Sequence, residues 1–517
     1  MRFLLFYGFL ATSFADSFVN SQSLDLINAS DAYKQGITGK GVNVGVLDTA
    51  MNKNHISLKN KIGEELIFDA SSNDHGSHVG GIIAGEKLDE NKPFGVAYDS
   101  MLYSGQIFGN GDIPSFTDFF TKNKVKIINN SWNTTLYPFV GLQDLIFDNA
   151  VFYEGKQPEF FLRNAYQAAC AKEVTDLAQN NQTLLVFASG NEGIIASGLY
   201  STLPSFDENL RAFINVGSLN ANGVSRNGDK LIIRAKGVSD FGNGFLKSEN
   251  YSLMAFGEEI NSANAAHVNS YFKRSGTSMA APMVSGAAAL VAQKFPFLNG
   301  KQIADVLLST ANKDYQAPKL VVKKSDEGDT GYYTIIYIDN DLPKDNNNGN
   351  NIEQIKKDLE AEGYTHEEAE KIVENLITKK ISTNYDAVIR LSRESIFGQG
   401  ILDIKKALGG VATLDANRLN DKDKQTLKNN TQELYYTVDT QGNNAEFSND
   451  ITQKQWDSSL HLSNAKNLPT NMDNLNVGFI KKGTGELTFS GKNTYAGLTI
   501  IENGALRLRR SAKGGGS

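Results

Sequence analysis

Gly276-Thr277-Ser278-Met279-Ala280-Ala281-Pro282 is the stretch on which the fold of this chain turns. The run from Ser278 to Lys294 is rich in Ala, Val, Met and Leu and carries no charge before its last residue. It is therefore expected to form a helix buried on every side. Ser278 then stands at a helix start, where free backbone N–H groups and the positive end of the helix dipole gather. Such groups can hold an oxyanion. Taken alone, a serine at this place is equally well an N-cap.

A buried helix needs a layer to lie on, and the rest of the chain supplies one. Residues 42–48 form an apolar strand that ends on Asp48, and Val125–Asn130 is a second strand leading into Ser131-Trp132. Thr183–Ala188 is a third, running into Ser189-Gly190-Asn191-Glu192-Gly193, and Phe213–Gly217 a fourth. Helical periodicity lies between them, at 76–85 and 160–180. Strands alternating with helices imply an α/β fold, a parallel sheet covered on both faces.

The chemistry-bearing residues cluster at the ends of these elements. Asp74-His75-Gly76-Ser77-His78-Val79-Gly80-Gly81 opens a glycine-rich helix. His75, at its head, suits a general base, and His78 suits a hydrogen-bonded structural role. The two histidines can also be read as metal ligands on one helical face, although no third ligand accompanies them. A carboxylate such as Asp48 can hold a neutral imidazole in one tautomer and stabilise its cation; its plain alternative is a turn formed with Thr49. The Asn191 amide can donate to a developing oxyanion, or the residue can simply adopt a left-handed turn. The order Asp, His, Asn, Ser makes these plain alternatives poor company for one another.

Composition bounds the function. The chain has 517 residues, of which 51 are Lys or Arg and 58 Asp or Glu, a net charge of −7. That balance argues against nucleic acid as the main partner. With 40% hydrophobic and 21% charged residues the chain can bury a large core. Six histidines and one cysteine exclude a zinc-finger array or disulfide scaffold. Cys170 has no intrachain partner, so stability must come from packing.

At the N-terminus Arg2, the apolar run Phe3–Leu10 and Ser13-Phe14-Ala15 have the layout of a secretory signal peptide, assigned to residues 1–15. Residues 16–410 are expected to form one domain, interrupted at 313–395 by a segment of different texture. Within it Asp339–Asn351 is an Asn-rich loop that fails the calcium-loop pattern, and Ile352–Lys380 should form two surface helices. Ile401–Leu408 is expected as the closing helix. Residues 411–512 become polar and β-like, and 475–508 carry glycine turns at the spacing of β-solenoid coils. Lys513–Ser517 has the composition of a flexible linker, at the end of a chain expected to continue elsewhere.

These motifs together resemble the subtilisin-like serine proteases. Val46-Leu47-Asp48-Thr49 resembles the family's aspartate motif, and His75-Gly76-Ser77-His78-Val79 its histidine motif, with Ser77 and Gly80 where threonine and alanine are usual. Ala188–Gly193 is similar to the oxyanion asparagine segment, and Gly276–Pro282 matches the nucleophile motif in full. The resemblance implies an Asp48-His75-Ser278 triad, with Asn191 and a backbone N–H as the oxyanion hole. It also implies a substrate strand lying along Ser131, Trp132, Asn133 and Gly190, and a closing glycine segment at Phe397–Ile401. The C-terminal residues Lys482–Thr488 and Ser490–Gly497 resemble the passenger repeat of Gram-negative autotransporters.

The implied protein is a secreted or cell-surface serine endopeptidase that acts on polypeptides, reaches the outside through the periplasm and works as a monomer. Its outer-membrane association would come only through a C-terminal barrel that this chain does not contain. No cofactor is required and no metal ligand is assigned; structural calcium, frequent in the family, has no ligand set to name. Two other classes remain. An adhesin-like passenger on a catalytically silent protease fold would carry the same elements. An esterase would show Gly-x-Ser-x-Gly and the order Ser, Asp, His, whereas this chain has Gly-Thr-Ser-Met-Ala and the order Asp, His, Ser. Few residues separate Ala15 from the catalytic resemblance, so a family-type propeptide is missing and folding is expected to rely on another element, with the stem as candidate.

Overall fold

The computed structural model describes residues 21–67, 74–89, 91–107, 115–133, 165–179, 182–325, 332–346, 349–383, 387–428, 430–463 and 465–509. The 1–15 leader and the 513–517 linker expected from sequence lie outside these residues. A seven-stranded sheet forms the centre. Its order is Ile62–Leu66, Met101–Gln106, Asn43–Asp48, Ile127–Asn130, Leu184–Ala188, Phe213–Leu219 and Ser252–Phe256, and every neighbouring pair is parallel.

The inner strands are largely buried because both faces are covered, and Phe213–Leu219 is buried at every position, whereas the edge strand Ile62–Leu66 carries Glu64 and Glu65 and is only partly buried. The strand order turns back on itself at Asn43–Asp48, which has later strands on both sides. In such sheets the crevice beyond the strand C-termini, at that switch point, is where ligands bind. Register brings three such ends level: Leu47 pairs with Asn130 and Asn130 with Phe187. Asp48, Ser131 and the Ala188–Gly190 turn therefore sit along one edge.

The expected buried helix runs Thr277–Lys294, and all its residues from Met279 to Ala292 are buried. Gly286 permits its close approach to the preceding layer: a Cβ there would lie 2.6 Å from Val96 Cβ. Pro282 inside the helix has no N–H, so the carbonyl of Ser278, four residues earlier, loses its helical partner. Ser131 Oγ donates to that carbonyl at 2.8 Å instead.

Within 313–395, strands Leu320–Ser325, Tyr332–Ile338 and Val388–Leu391 form a separate sheet. Helices Ile352–Ala361 and His366–Thr383 pack on it around Leu320, Val322, Ile335, Ile355, Leu359 and Ile372. The closing helix is shorter than expected, Ile404–Ala407, with the Asp403 side chain as its cap. Ile401 is held instead in bridges to Met254 and Asn312, and Leu402 N donates to Met254 O. These extended contacts delay the helix start.

Beyond it, strands stack in parallel coils. Gln432–Asp439, Val477–Lys482 and Thr499–Ile501 make one face, and Ala445–Phe447, Glu486–Phe489 and Ala505–Leu508 another. This parallel stacking is consistent with the start of a β-helix. One of its contacts with the unit that carries the central sheet is made by Phe295, whose ring meets Phe447 edge-on at 5.3 Å. Among the described residues no helix is long and apolar enough to cross a membrane.

Candidate active site

Asp48 ends its strand fully buried. Its Oδ1 accepts from Thr49 N and from His75 Nδ1, each at 2.7 Å, while Oδ2 is buried with no partner. That contact fixes the tautomer of His75: Nδ1 carries the hydrogen and Nε2 faces away from the carboxylate. The helix that carries His75 begins at Asp74. Gly76 lets it press against the turn after Asp48, since a Cβ there would stand 2.2 Å from Thr49 O. Gly76 N also donates to Thr49 Oγ1 at 2.8 Å. The side chain of His75 keeps 27% of its surface exposed. Burial by itself would lower its pKa, but the charge and hydrogen bond of Asp48 prevail and hold it above the ordinary 6.5.

His78 is the opposite case. It is completely buried, Nε2 lies 3.1 Å from Phe272 O, and burial drives its pKa down to about 3. It is a neutral, structural histidine, as its place in the sequence suggested.

Ser278 lies in the first turn of its helix and is partly exposed. Its Oγ donates to Ser131 O at 3.0 Å, and no hydrogen bond joins it to His75. Ser131 and Ser278 thus hold each other reciprocally, hydroxyl to carbonyl in both directions.

Asn191 is exposed, but its orientation is set. Its Oδ1 accepts from Thr277 N at 2.8 Å and Thr277 Oγ1 at 2.9 Å. A backbone N–H can only donate, so the carbonyl end of the amide is fixed and the NH2 end points away. Gly276 locates that end: a Cβ built on it would lie 3.6 Å from Asn191 Nδ2 and 3.6 Å from Ser278 N. Both donors therefore lie close to one point beside Gly276.

The other expected substrate residues are distributed unevenly. Gly190 is buried at φ +113°, and a Cβ would strike Asn243 Nδ2 at 2.3 Å. Trp132 is turned inward, edge-on to Phe187 at 5.3 Å and Tyr200 at 4.8 Å. Asn133 donates to Ala188 O and Ser201 Oγ at 2.7 and 2.8 Å. At these two positions only backbone is left to meet an extended chain.

Sequence reasoning missed Thr277, Thr49 and Asn243. The first two flank motif residues and were open to inference. Asn243 was not: it lies far along the chain in Gly242-Asn243-Gly244, which signals only a turn.

The subtilase family model matches residues 39–333, and the passenger-associated transport repeat matches 479–508. The chain is 27% identical to subtilisin DY of Bacillus licheniformis, covering 56% of this chain and 90% of that protein. It is 27% identical to an extracellular serine protease of Serratia marcescens, covering 56% of this chain but 31% of the relative. It is 21% identical to the Neisserial autotransporter lipoprotein NalP of Neisseria meningitidis serogroup B, over 95% of this chain and 40% of that protein. The chain thus spans under half the length of the two longer relatives.

Proposed function

The chain belongs to the subtilase family, and on that footing we propose that it is a serine endopeptidase in which Asp48, His75 and Ser278 form the triad and Asn191 completes the oxyanion hole. The observation that carries this reading is the 2.7 Å contact of buried Asp48 Oδ1 with His75 Nδ1, which leaves His75 Nε2 turned away from the carboxylate. The hydroxyl turns from the Ser131 carbonyl to His75 Nε2, which takes its proton as Oγ attacks the scissile carbonyl. Catalytic hydrogen bonds of this kind often tighten only once substrate is bound. The oxyanion forms between Asn191 and Ser278 N. His75 then protonates the leaving amine, and water releases the acyl group. Asp48 keeps the imidazole oriented and balances its charge. A peptide substrate lies extended along the backbone of Ser131–Asn133 and Gly190. The transport-repeat match and the match to NalP along nearly the whole chain support an exported or cell-surface passenger.

Fluorophosphonate labelling tests the assignment. The probe should modify the wild type and spare Ser278→Ala, and a peptide library should be cleaved only by the labelled protein. A folded wild type that neither labels nor cleaves would instead support a silent passenger on a protease fold.

The acid limb of kcat/KM follows from the Asp48–His75 contact. The base must be neutral, so activity should rise with pH through a midpoint above 6.5. In Asp48→Asn the two largest raising contributions are gone and burial, with Arg274, outweighs the charge of Asp74, so the midpoint should fall below 6.5, with kcat lower by about 10⁴. A wild-type midpoint at or below 6.5 would contradict the assigned pair. The sign for stability is opposite: a raised histidine pKa favours the fold most below 6.5, and that gain is lost as pH rises through the folded value.

A further inference from the structure

We propose that the unit built from 320–391 is a support for the oxyanion loop, and that Lys323 is the positioning residue through which it acts. This rests on the oxyanion role assigned to Asn191. The segment 239–246 lies between the two. On one side it holds the loop by its backbone: Asn243 N donates to Gly190 O at 3.0 Å, Gly193 N to Phe241 O at 2.7 Å, and Gly244 N to Ile194 O at 2.8 Å. The buried Asn243 side chain completes the grip. Its Oδ1 accepts from Glu192 N and Ile194 N at 3.0 and 3.2 Å, and its Nδ2 donates to Ser189 O and Glu192 Oε2 at 3.2 and 2.6 Å.

On its other side the segment is held by the Leu320–Ser325 strand. Lys323 Nζ donates to Ser239 O at 3.0 Å and Gly242 O at 2.6 Å, and Lys324 N donates to Asp240 O at 3.0 Å. The strand also touches the loop itself. Gly193 adopts φ +64°, and a Cβ there would lie 2.1 Å from Lys324 O.

The choice of lysine needs a reason. Lys323 is only 2% exposed and follows Leu320, Val321 and Val322, all buried. Packing alone would be served by an apolar side chain, and an amine in such a place is costly. Burial in fact brings its pKa down to about 8, against the pull of Asp240. What the amine adds is direction: two donors that fix two carbonyls, one of them in the residue before Asn243.

The test replaces the amine by an isostere without donors, Lys323→Met, in the full chain. In a Ser278→Ala background, where turnover plays no part, hydrogen exchange should quicken about tenfold or more at amides 190–194, with Leu184–Ala188 still protected. In the active protein kcat should fall about ten- to a hundredfold, with KM within about threefold. In an Asn191→Ala background the same change should cost less than about threefold, because the group it positions is gone. Unchanged exchange at 190–194, full additivity with Asn191→Ala, or loss of protection across the whole central sheet would each overturn the proposal. Should Lys323→Met not fold, Lys323→Gln, which keeps a donor on a shorter stem, is read at the same amides. If Asn191→Ala alone leaves kcat unchanged, the oxyanion reading fails, while the exchange experiment still decides the role of Lys323.

Discussion

Ser278→Ala is expected to lower kcat by about 10⁶, the scale of losing a nucleophile whose triad acts as one unit. The fold should survive. The Ser278 hydroxyl makes one hydrogen bond, to Ser131 O, in a partly exposed site, and such a bond contributes about 1 kcal/mol or less. The bond in the other direction, Ser131 Oγ to the Ser278 carbonyl, does not need the hydroxyl and continues to satisfy the acceptor that Pro282 leaves free. Alanine is also the better helix former. The residual activity should still exceed the uncatalysed rate, by about 10³, because Asn191, Ser278 N and the binding surface remain. Steady-state kinetics on freshly purified variant, together with thermal melts, check both halves. Wild-type turnover in Ser278→Ala would remove the triad, and a collapsed melt would show that the serine is structural.

Much of the site was legible because acyl-transfer chemistry restricts residue types, and the chain presents them in one order. Asp48 at a strand end, His75 at a helix head and Ser278 before a buried run could each be placed without coordinates. His75 stands against a carboxylate with its outer edge open, whereas His78 is buried on a carbonyl. What was not legible depends on contacts between distant segments. Asn243 and Lys323 serve the 190–194 loop from two other parts of the chain, and neither sits in a local pattern that announces burial of a polar group. The stem shows the same limit. Its coils begin at Gln432, well before the glycine-marked repeat, because Leu434, Tyr435 and Tyr436 are buried in succession and hide the alternation expected of a strand. The closing helix failed for a related reason: bridges to Met254 and Asn312 hold its expected first turn extended.

Asp305→Asn is expected to destabilise the protein by about 4 kcal/mol, from the range for breaking a buried ion pair. Asp305 lies in helix Gly300–Ser309 and is 5% exposed. Its Oδ1 accepts from Arg418 Nε, and its Oδ2 from Lys301 Nζ at 2.8 Å. Arg418 follows the catalytic unit at the base of the stem and also donates to Arg211 O at 2.6 Å. Arg211 in turn pairs with Glu208, which meets His461 at 2.6 Å. Asparagine preserves shape but takes from Arg418 and Lys301 the carboxylate that both of them meet. The cost is therefore that of uncompensated charge, not of a cavity. Two consequences separate this cause from simple misfit. Adding Arg418→Met to Asp305→Asn should recover part of the loss, because the stranded guanidinium is removed with its partner. The difference should also depend on pH. Burial alone would raise the carboxyl pKa, but Lys301 and Arg418 outweigh it and hold it below the ordinary 3.8. The stabilisation is then complete above 3.8 and is lost as pH falls through the folded value, so wild type and variant should converge only in strong acid. Urea titrations at neutral and acid pH, with the double variant alongside, measure all three terms. Because the same cluster ties the catalytic unit to the first coils of the stem, the variant should also open the 419–430 junction to limited proteolysis. A junction as resistant as the wild type's, with stability lost all the same, would show that the cluster stabilises the catalytic unit alone.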